Sequence, residues 1–267
     1  MMPPPLPKRL RTPGVFLLGT FVLVPRIEIV ELLAYAGFQA VIFDFEHGGL
    51  DFDHLPVLAA VANRVGMHAI ARVQGNEPSL IGRALDAGVD GILVPHVRNE
   101  DDAQRLVAAG RFPPEGSRGA NPYVRAARYS ADQAYFDHAN DRVALLGMIE
   151  GVEGLDSLDR ILATRGLDGI FVGPVDLSAS LGVTGNTESE EVRRAVEGVL
   201  EAANAAERAA GVFAPTPSAA VRWKEGGAQI VALSVDTGMA YQGFLSFVRE
   251  VSSQVQNASA PVRRTLR

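Results

Sequence analysis

Eight short apolar runs, rich in Val, Ile and Phe, recur along the 267-residue chain. They are Val15–Phe21, Ala40–Phe43, His68–Val73, Gly91–Val94, Ala144–Ile149, Gly169–Val172, Val212–Ala214 and Ile230–Val235. Between them lie amphipathic stretches, among them Arg26–Ala36, Ser79–Ala87, Asp101–Ala109, Leu155–Ala163 and Glu190–Ala210. Gly37, Gly88, Gly166 and Gly211 fit the position where left-handed backbone stops a helix. Strands buried on both faces read as continuous apolar runs, and their alternation with helices predicts a parallel sheet. Eight such units predict an α/β protein of the (β/α)8, TIM-barrel class. A doubly wound sheet is the rival, and it explains eight evenly spaced runs less well. The barrel is expected over residues 14–251 as a single domain, with 1–13 a flexible leader and 252–267 a disordered tail. Arg111–His138 reads as an insertion after strand four, of the kind that carries function.

Composition then removes whole classes of chemistry. The chain has no cysteine, which excludes disulfides, thiolate metal sites and thiol nucleophiles. A net charge of −6 without a basic run argues against a nucleic-acid partner. Among 25 basic residues only Lys8 and Lys224 are lysines, and neither sits in an apolar context suited to Schiff-base catalysis. The apolar run Val15–Val24 follows Lys8, Arg9 and Arg11, but it is too short to cross a bilayer and lacks a small-residue cleavage site. A cytoplasmic protein without a membrane partner is the expectation.

In such barrels chemistry gathers at the C-terminal ends of the strands. There the sequence places Asp44-Phe45-Glu46-His47, Arg72, Glu150 and Asp176. Glu150 and Asp176 end neighbouring strands, so their carboxylates should project into one mouth. Paired carboxylates beside an arginine and a histidine suit a hard divalent cation such as Mg²⁺ or Mn²⁺. The plainer reading is that both acids cap helix N-termini. His68 reads as structural, His54 and His138 as solvated, and His96 as a residue of the mouth with nothing further to distinguish it.

The chain resembles the HpcH/HpaI aldolases, metal-dependent pyruvate aldolases related to the citrate-lyase β-subunit. The motifs carrying the resemblance are Asp44-Phe45-Glu46-His47, Leu85-Asp86-Ala87-Gly88, Phe112-Pro113-Pro114-Glu115-Gly116 with Arg118-Gly119, Ile149-Glu150-Gly151, and Phe171-Val172-Gly173-Pro174-Val175-Asp176-Leu177-Ser178. The resemblance implies a class II aldolase that cleaves 4-hydroxy-2-oxo acids to pyruvate, or a close analogue, plus an aldehyde, and runs the reverse addition. It implies Glu150 and Asp176 as ligands of Mg²⁺, Mn²⁺ or Co²⁺. It further implies Arg72 on the 2-oxo acid and its enolate oxygen, and His47, oriented by Asp44, as acid and base. Gly173 and Pro174 match the turn that holds the donor carboxylate. Asp86 matches an aspartate that supports the site from an adjoining subunit of a trimeric or hexameric homo-oligomer exchanging C-terminal helices. Where many members carry Gln this chain has Met148, which predicts a more apolar donor pocket. The alternatives are a CoA-ester lyase of the citrate-lyase β or malyl-CoA type, a phosphoryl-transfer enzyme, and a non-catalytic 2-oxo-acid-binding barrel. The second is disfavoured because no lysine is placed to cradle phosphate.

Overall fold

A computed structural model describes residues 3–258. Eight parallel strands close into a barrel in chain order: β1 (Leu17–Val22), β2 (Ala40–Asp44), β3 (His68–Arg72), β4 (Gly91–Val94), β5 (Ala144–Ile149), β6 (Gly169–Val172), β7 (Ala209–Ala214) and β8 (Ile230–Val235). The helices are α1 (Leu6–Leu10), α2 (Ile27–Tyr35), α3 (Leu55–Arg64), α4 (Pro78–Asp86), α5 (Glu100–Gly110), α6 (Tyr135–Arg142), α7 (Val152–Asp156), α8 (Leu158–Leu162), α9 (Pro174–Ser180), α10 (Glu190–Ala205), α11 (Pro217–Glu225) and α12 (Asp236–Ala258). The expected TIM barrel is the fold observed.

The two-residue period of a strand sorts its side chains into two cores. One core fills the barrel: Leu17, Phe21, Ile42, Ile70, Leu93, Leu146, Met148, Phe171 and Ile230 pack together. The other lies between barrel and helices and includes Val41, Phe43, Ile92, Leu145, Ile170, Val212 and Trp223. The inward parity that carries Ile42 and Ile70 continues to Asp44 and Arg72, which are register partners on β2 and β3. On β5 the same parity runs Leu146, Met148 and on to Glu150. Thus the pattern that fills the barrel also aims three charged residues into its mouth.

The structure departs from the sequence expectations at several points. Residues 6–10 of the supposed leader form α1, and Leu6 and Leu10 are buried in the barrel-filling core. Burying each leucine is worth about 1.5–3 kcal/mol, which explains why the segment closes the barrel floor. Of the expected tail, residues 252–258 continue α12, and the remainder, 259–267, lies outside the described residues, as do 1 and 2 of the leader.

Gly37 and Gly88 adopt left-handed backbone directly after the caps of α2 and α4, whereas Gly166 is left-handed in the turn beyond α8, which already ends at Leu162 with Ala163 as its cap, and Gly211 lies inside β7. Helix α10 stops earlier, with Glu207 at φ 56° in the left-handed role. Gly211 is required for space instead, because a Cβ there would sit 2.4 Å from the Phe171 ring. The stretch Leu155–Ala163 breaks at Ser157 into α7 and α8.

The insertion 111–138 follows α5 and leads into β5, so it lies at the barrel floor rather than the mouth. It acts as a clamp: the Arg111 guanidinium donates to the carbonyls of Val143 and Gly166 and pairs with Asp168, while Arg118 pairs with Asp86 at 2.6 Å.

Candidate active site

At the mouth, Arg72 is fixed by two carboxylates. Its Nε and one terminal nitrogen reach the two oxygens of Asp44 at 2.9 and 2.6 Å, and the other terminal nitrogen lies 3.0 Å from Glu46 Oε2. The guanidinium also stacks 4.8 Å from the centre of the Phe21 ring. A bidentate pair reinforced by a second acid leaves the planar cation no freedom to rotate.

Asp44 Oδ1 additionally accepts the backbone N–H groups of Glu46 and His47 at 3.0 and 3.2 Å. Asp44 therefore holds His47 through its main chain, not by contacting its ring. That imidazole is 62% exposed, with Nε2 3.9 Å from Glu46 Oε2.

Glu150 is buried in the mouth, and its two oxygens have different surroundings. Oε1 accepts the backbone N–H of His96 at 2.7 Å and lies 2.9 Å from His96 Nδ1, whereas Oε2 is buried without a partner. His96 Nε2 in turn lies 3.4 Å from Glu46 Oε1. Burial raises the Glu150 pKa above the ordinary carboxylate value, the charges of Glu46 and Asp176 add to the rise, and His96 opposes it. A buried carboxylate oxygen without a donor is costly unless something positive meets it.

Asp176, in the first turn of α9, borders two cavities. One, of about 260 Å³, is lined by Asp44, His47, Arg72, Met148, Gly173 and Pro174 against an apolar wall that includes Phe21 and Phe213. The other, of about 250 Å³, includes His96, Glu150 and Glu153. Gly173 is needed where the cavities meet, since a Cβ there would fall 2.8 Å from both Glu150 Oε2 and the Met148 methyl. On the β1 side, Asp236 accepts the amides of Leu23 and Val24, which fixes that edge of the wall.

Seven sequence-predicted residues thus meet at one mouth: Asp44, His47, Arg72, Met148, Gly173, Pro174 and Asp176, with Glu150 in the adjoining cavity. Asp86 does not join them within one chain. It ends α4 at the barrel floor, paired with Arg118. His96 and Glu46, which the sequence left without roles, tie Arg72, His47 and Glu150 together. His138 is half-buried against Asp132 at 3.3 Å rather than solvated. Lys8 and Lys224 both lie at the floor, on α1 and the C-terminal end of α11, which fits the expectation of no lysine imine.

Residues 17–242 match the profile of the HpcH/HpaI aldolase/citrate lyase family. The chain belongs to this family. It is an enzyme, a carbon–carbon lyase of the aldolase type. It is 38% identical over 210 residues to 5-keto-4-deoxy-D-glucarate aldolase of Escherichia coli, covering 78% of this chain and 82% of that one. Among solved structures, an HpcH/HpaI aldolase/citrate lyase family protein from Burkholderia cenocepacia superposes with a TM-score of 0.88 at 34% identity, over 92% of this chain and 98% of that one. The citrate synthase SbnG superposes with a TM-score of 0.84 at 30% identity, over 95% and 99%. Similar barrels therefore carry proteins named for more than one carbon–carbon reaction, and the mouth must decide between them.

Proposed function

We propose that the protein is a class II aldolase acting on 4-hydroxy-2-oxo acids, either 2-oxo-3-deoxy sugar acids or 4-hydroxy-2-oxo diacids. The products are pyruvate, or a close analogue, and an aldehyde. The observation that carries this reading is the unpartnered buried oxygen of Glu150 beside a rigidly held Arg72. Glu150 and Asp176 are the residues to hold Mg²⁺, Mn²⁺ or Co²⁺. Among the described residues no three His, Asp or Glu side chains close on a single point, so water and substrate oxygens would complete the coordination. When bound, the cation supplies Lewis-acid polarisation of the 2-oxo acid.

The protein's own groups do the rest. Arg72, with Asp44 and Glu46 fixing its plane, stands where the 2-oxo oxygen gains negative charge. The His47 imidazole takes the proton of the C4 hydroxyl as the C3–C4 bond breaks. That electron pair passes into the pyruvate enolate, which is then protonated at C3. Glu46, 3.9 Å from Nε2, stabilises the imidazolium so formed. Met148, Gly173 and Pro174 shape the donor end, where the Pro174 turn opens α9.

The oligomer belongs to the same proposal. Tyr241, Phe244, Phe247, Val248 and Val251 are each more than 60% exposed along α12. Such a stripe suits exchange with α12 of another copy in a trimer or hexamer, and that assembly would bring Asp86 of one copy to the mouth of the next. Among the described residues no helix is long and apolar enough to cross a membrane; a cytoplasmic location is proposed with the rest.

The test is pyruvate release from a panel of 4-hydroxy-2-oxo acids, with EDTA and with Mg²⁺, Mn²⁺ or Co²⁺ added back. Metal-restored release without any thioester supports the aldolase. Turnover only with acetyl-CoA or malyl-CoA points to the CoA-ester lyase, and full turnover after chelation overturns the metal assignment.

A further inference from the structure

We infer that His96 is a positioning residue that makes Glu150 a one-oxygen ligand and thereby tunes the site toward small octahedral cations over Ca²⁺. The inference rests on the proposed metal site. His96 approaches Glu150 twice at the same atom: its backbone N–H and its Nδ1 both meet Oε1, at 2.7 and 2.9 Å. Oε2 is left with no partner at all. One hydrogen bond and a close ring nitrogen on one oxygen, and neither on the other, divide the carboxylate into a held end and a free end.

The backbone is shaped for this contact. His96 lies at φ 54°, left-handed for a non-glycine residue, directly after Pro95 at the end of β4. The register of β4 with β5 pairs Val94 with Gly147, so residues just past both strand ends are neighbours. Rotation about N–Cα sets where a side chain leaves relative to its own N–H, so the left-handed φ places the His96 ring on the same side of Glu150 as its amide. Strained backbone of this sort persists where surrounding contacts hold it, commonly at functional sites. The far nitrogen, Nε2, faces Glu46 Oε1 at 3.4 Å, which keeps the ring from swinging off Glu150.

The consequence concerns the ion. Ca²⁺ accepts bidentate carboxylates and seven or eight oxygens, whereas Mg²⁺ requires close to six in octahedral array. With Oε1 held by the His96 N–H and faced by its ring, Oε2 is the oxygen Glu150 has free to give, which disfavours the larger ion. Groups that orient a ligand from behind are typically worth 10–100-fold in metal affinity.

The experiment is calorimetric titration of Mn²⁺ and Ca²⁺ into the substrate-free full-length protein and two variants. His96→Gly relieves the left-handed backbone and keeps the main-chain N–H but removes the ring. His96→Asn tolerates the same backbone and offers an amide donor near the Nδ1 position. The expected result is an Mn²⁺-over-Ca²⁺ preference that falls about tenfold in His96→Gly and is largely restored in His96→Asn. An unchanged preference in His96→Gly, with unfolding temperature as a control on the fold, overturns the inference. A wild-type protein that binds no Mn²⁺ overturns the metal site itself, a distinguishable outcome.

Discussion

The two ends of this barrel treat charge in opposite ways. At the floor each buried ion has a partner made for it. Arg111 pairs with Asp168, Arg118 with Asp86, and Asp90 accepts from Asn63 and the Ala69 amide at 2.6 and 2.8 Å. At the mouth four acids, Asp44, Glu46, Glu150 and Asp176, converge on one guanidinium and two exposed imidazoles. The floor is neutralised by design of the chain alone, whereas the mouth is left acid-rich and needs a cation from outside. An excess of one sign of charge in a cleft attracts a counter-ion, and only the mouth carries that excess here.

The sharpest way to break this comparison is to mutate one acid or ion pair at each end. Glu150→Gln or Asp176→Asn should lower kcat/KM by about 10³-fold or more, the worth of several kcal/mol of lost Lewis-acid stabilisation, while urea unfolding stays close to wild type. Arg111→Met should do the reverse. Leaving Asp168 with only the Leu145 amide and the exposed Arg11 should cost at most about 3–5 kcal/mol of stability, with turnover per folded molecule preserved. If Arg111→Met abolishes turnover in folded protein, or Glu150→Gln unfolds it, the division of labour between the ends is wrong.

A second test stays at the mouth. His47→Ala should lower kcat by roughly 10²–10⁴-fold with a smaller effect on donor KM, as loss of a proton carrier requires. Arg72→Ala should damage both, because its charge meets the bound oxo acid as well as the enolate. Near-normal cleavage by His47→Ala across the pH range would reduce the histidine to a solvated loop residue.

The floor has its own titration. His68 is buried among the barrel-filling residues, its Nδ1 unpartnered, with the cation of Arg9 on α1 nearby. Burial first, and Arg9 second, lower its pKa from 6.5 to about 4. The unfolded chain therefore binds a proton that the folded chain refuses between those values. Stability from neutral His68 is complete above about pH 6.5 and is lost as pH falls toward 4, by roughly 2–3 kcal/mol. Urea unfolding at pH 7 and 4.5 should show this slope in the wild type and a flatter one in His68→Leu. Equal slopes would assign the acid sensitivity to other groups.

What the sequence disclosed, and what it hid, follows the same division. Apolar runs and left-handed glycines are local signals, so the eight strands and the stops at Gly37 and Gly88 could be read directly. Asp44, Arg72, Glu150 and Asp176 could be placed because each follows an apolar run. The role of His96 could not, since its contact with Glu150 depends on the register of β4 with β5 and on a backbone turn that histidine rarely takes. The closing helix α1 was hidden by brevity. Five residues show no period, and the single sign was the four-residue spacing of Leu6 and Leu10. The insertion misled by length alone: loops of that size are often functional, but this one lies on the floor side and spends its arginines on carbonyls and on the carboxylates of Asp86 and Asp168.

The smallest effect expected is also the most specific to this chain. Met148 is buried in the barrel-filling core and lines the mouth cavity as well, with its methyl facing Gly173. A thioether offers only a weak acceptor, where an amide would give both donor and acceptor. The donor pocket should therefore suit pyruvate or 2-oxobutanoate and draw little from the extra hydroxyl of hydroxypyruvate. A pocket without a dedicated partner does not strongly reject a hydroxyl either, so the preference should be modest. Met148→Gln should shift the kcat/KM ratio toward hydroxypyruvate by about 1–2 kcal/mol, the worth of one hydrogen bond to a polar group. The same substitution places an amide among Leu146, Phe171 and Phe21, so some loss of thermal stability should accompany the shift. Aldol addition measured with both donors, beside thermal unfolding of the variant, separates the two roles of the side chain. A lowered melting temperature with an unchanged donor ratio would make Met148 a core residue only, and the apolar wall of Phe21 and Phe213 would then be the place to look for donor selection.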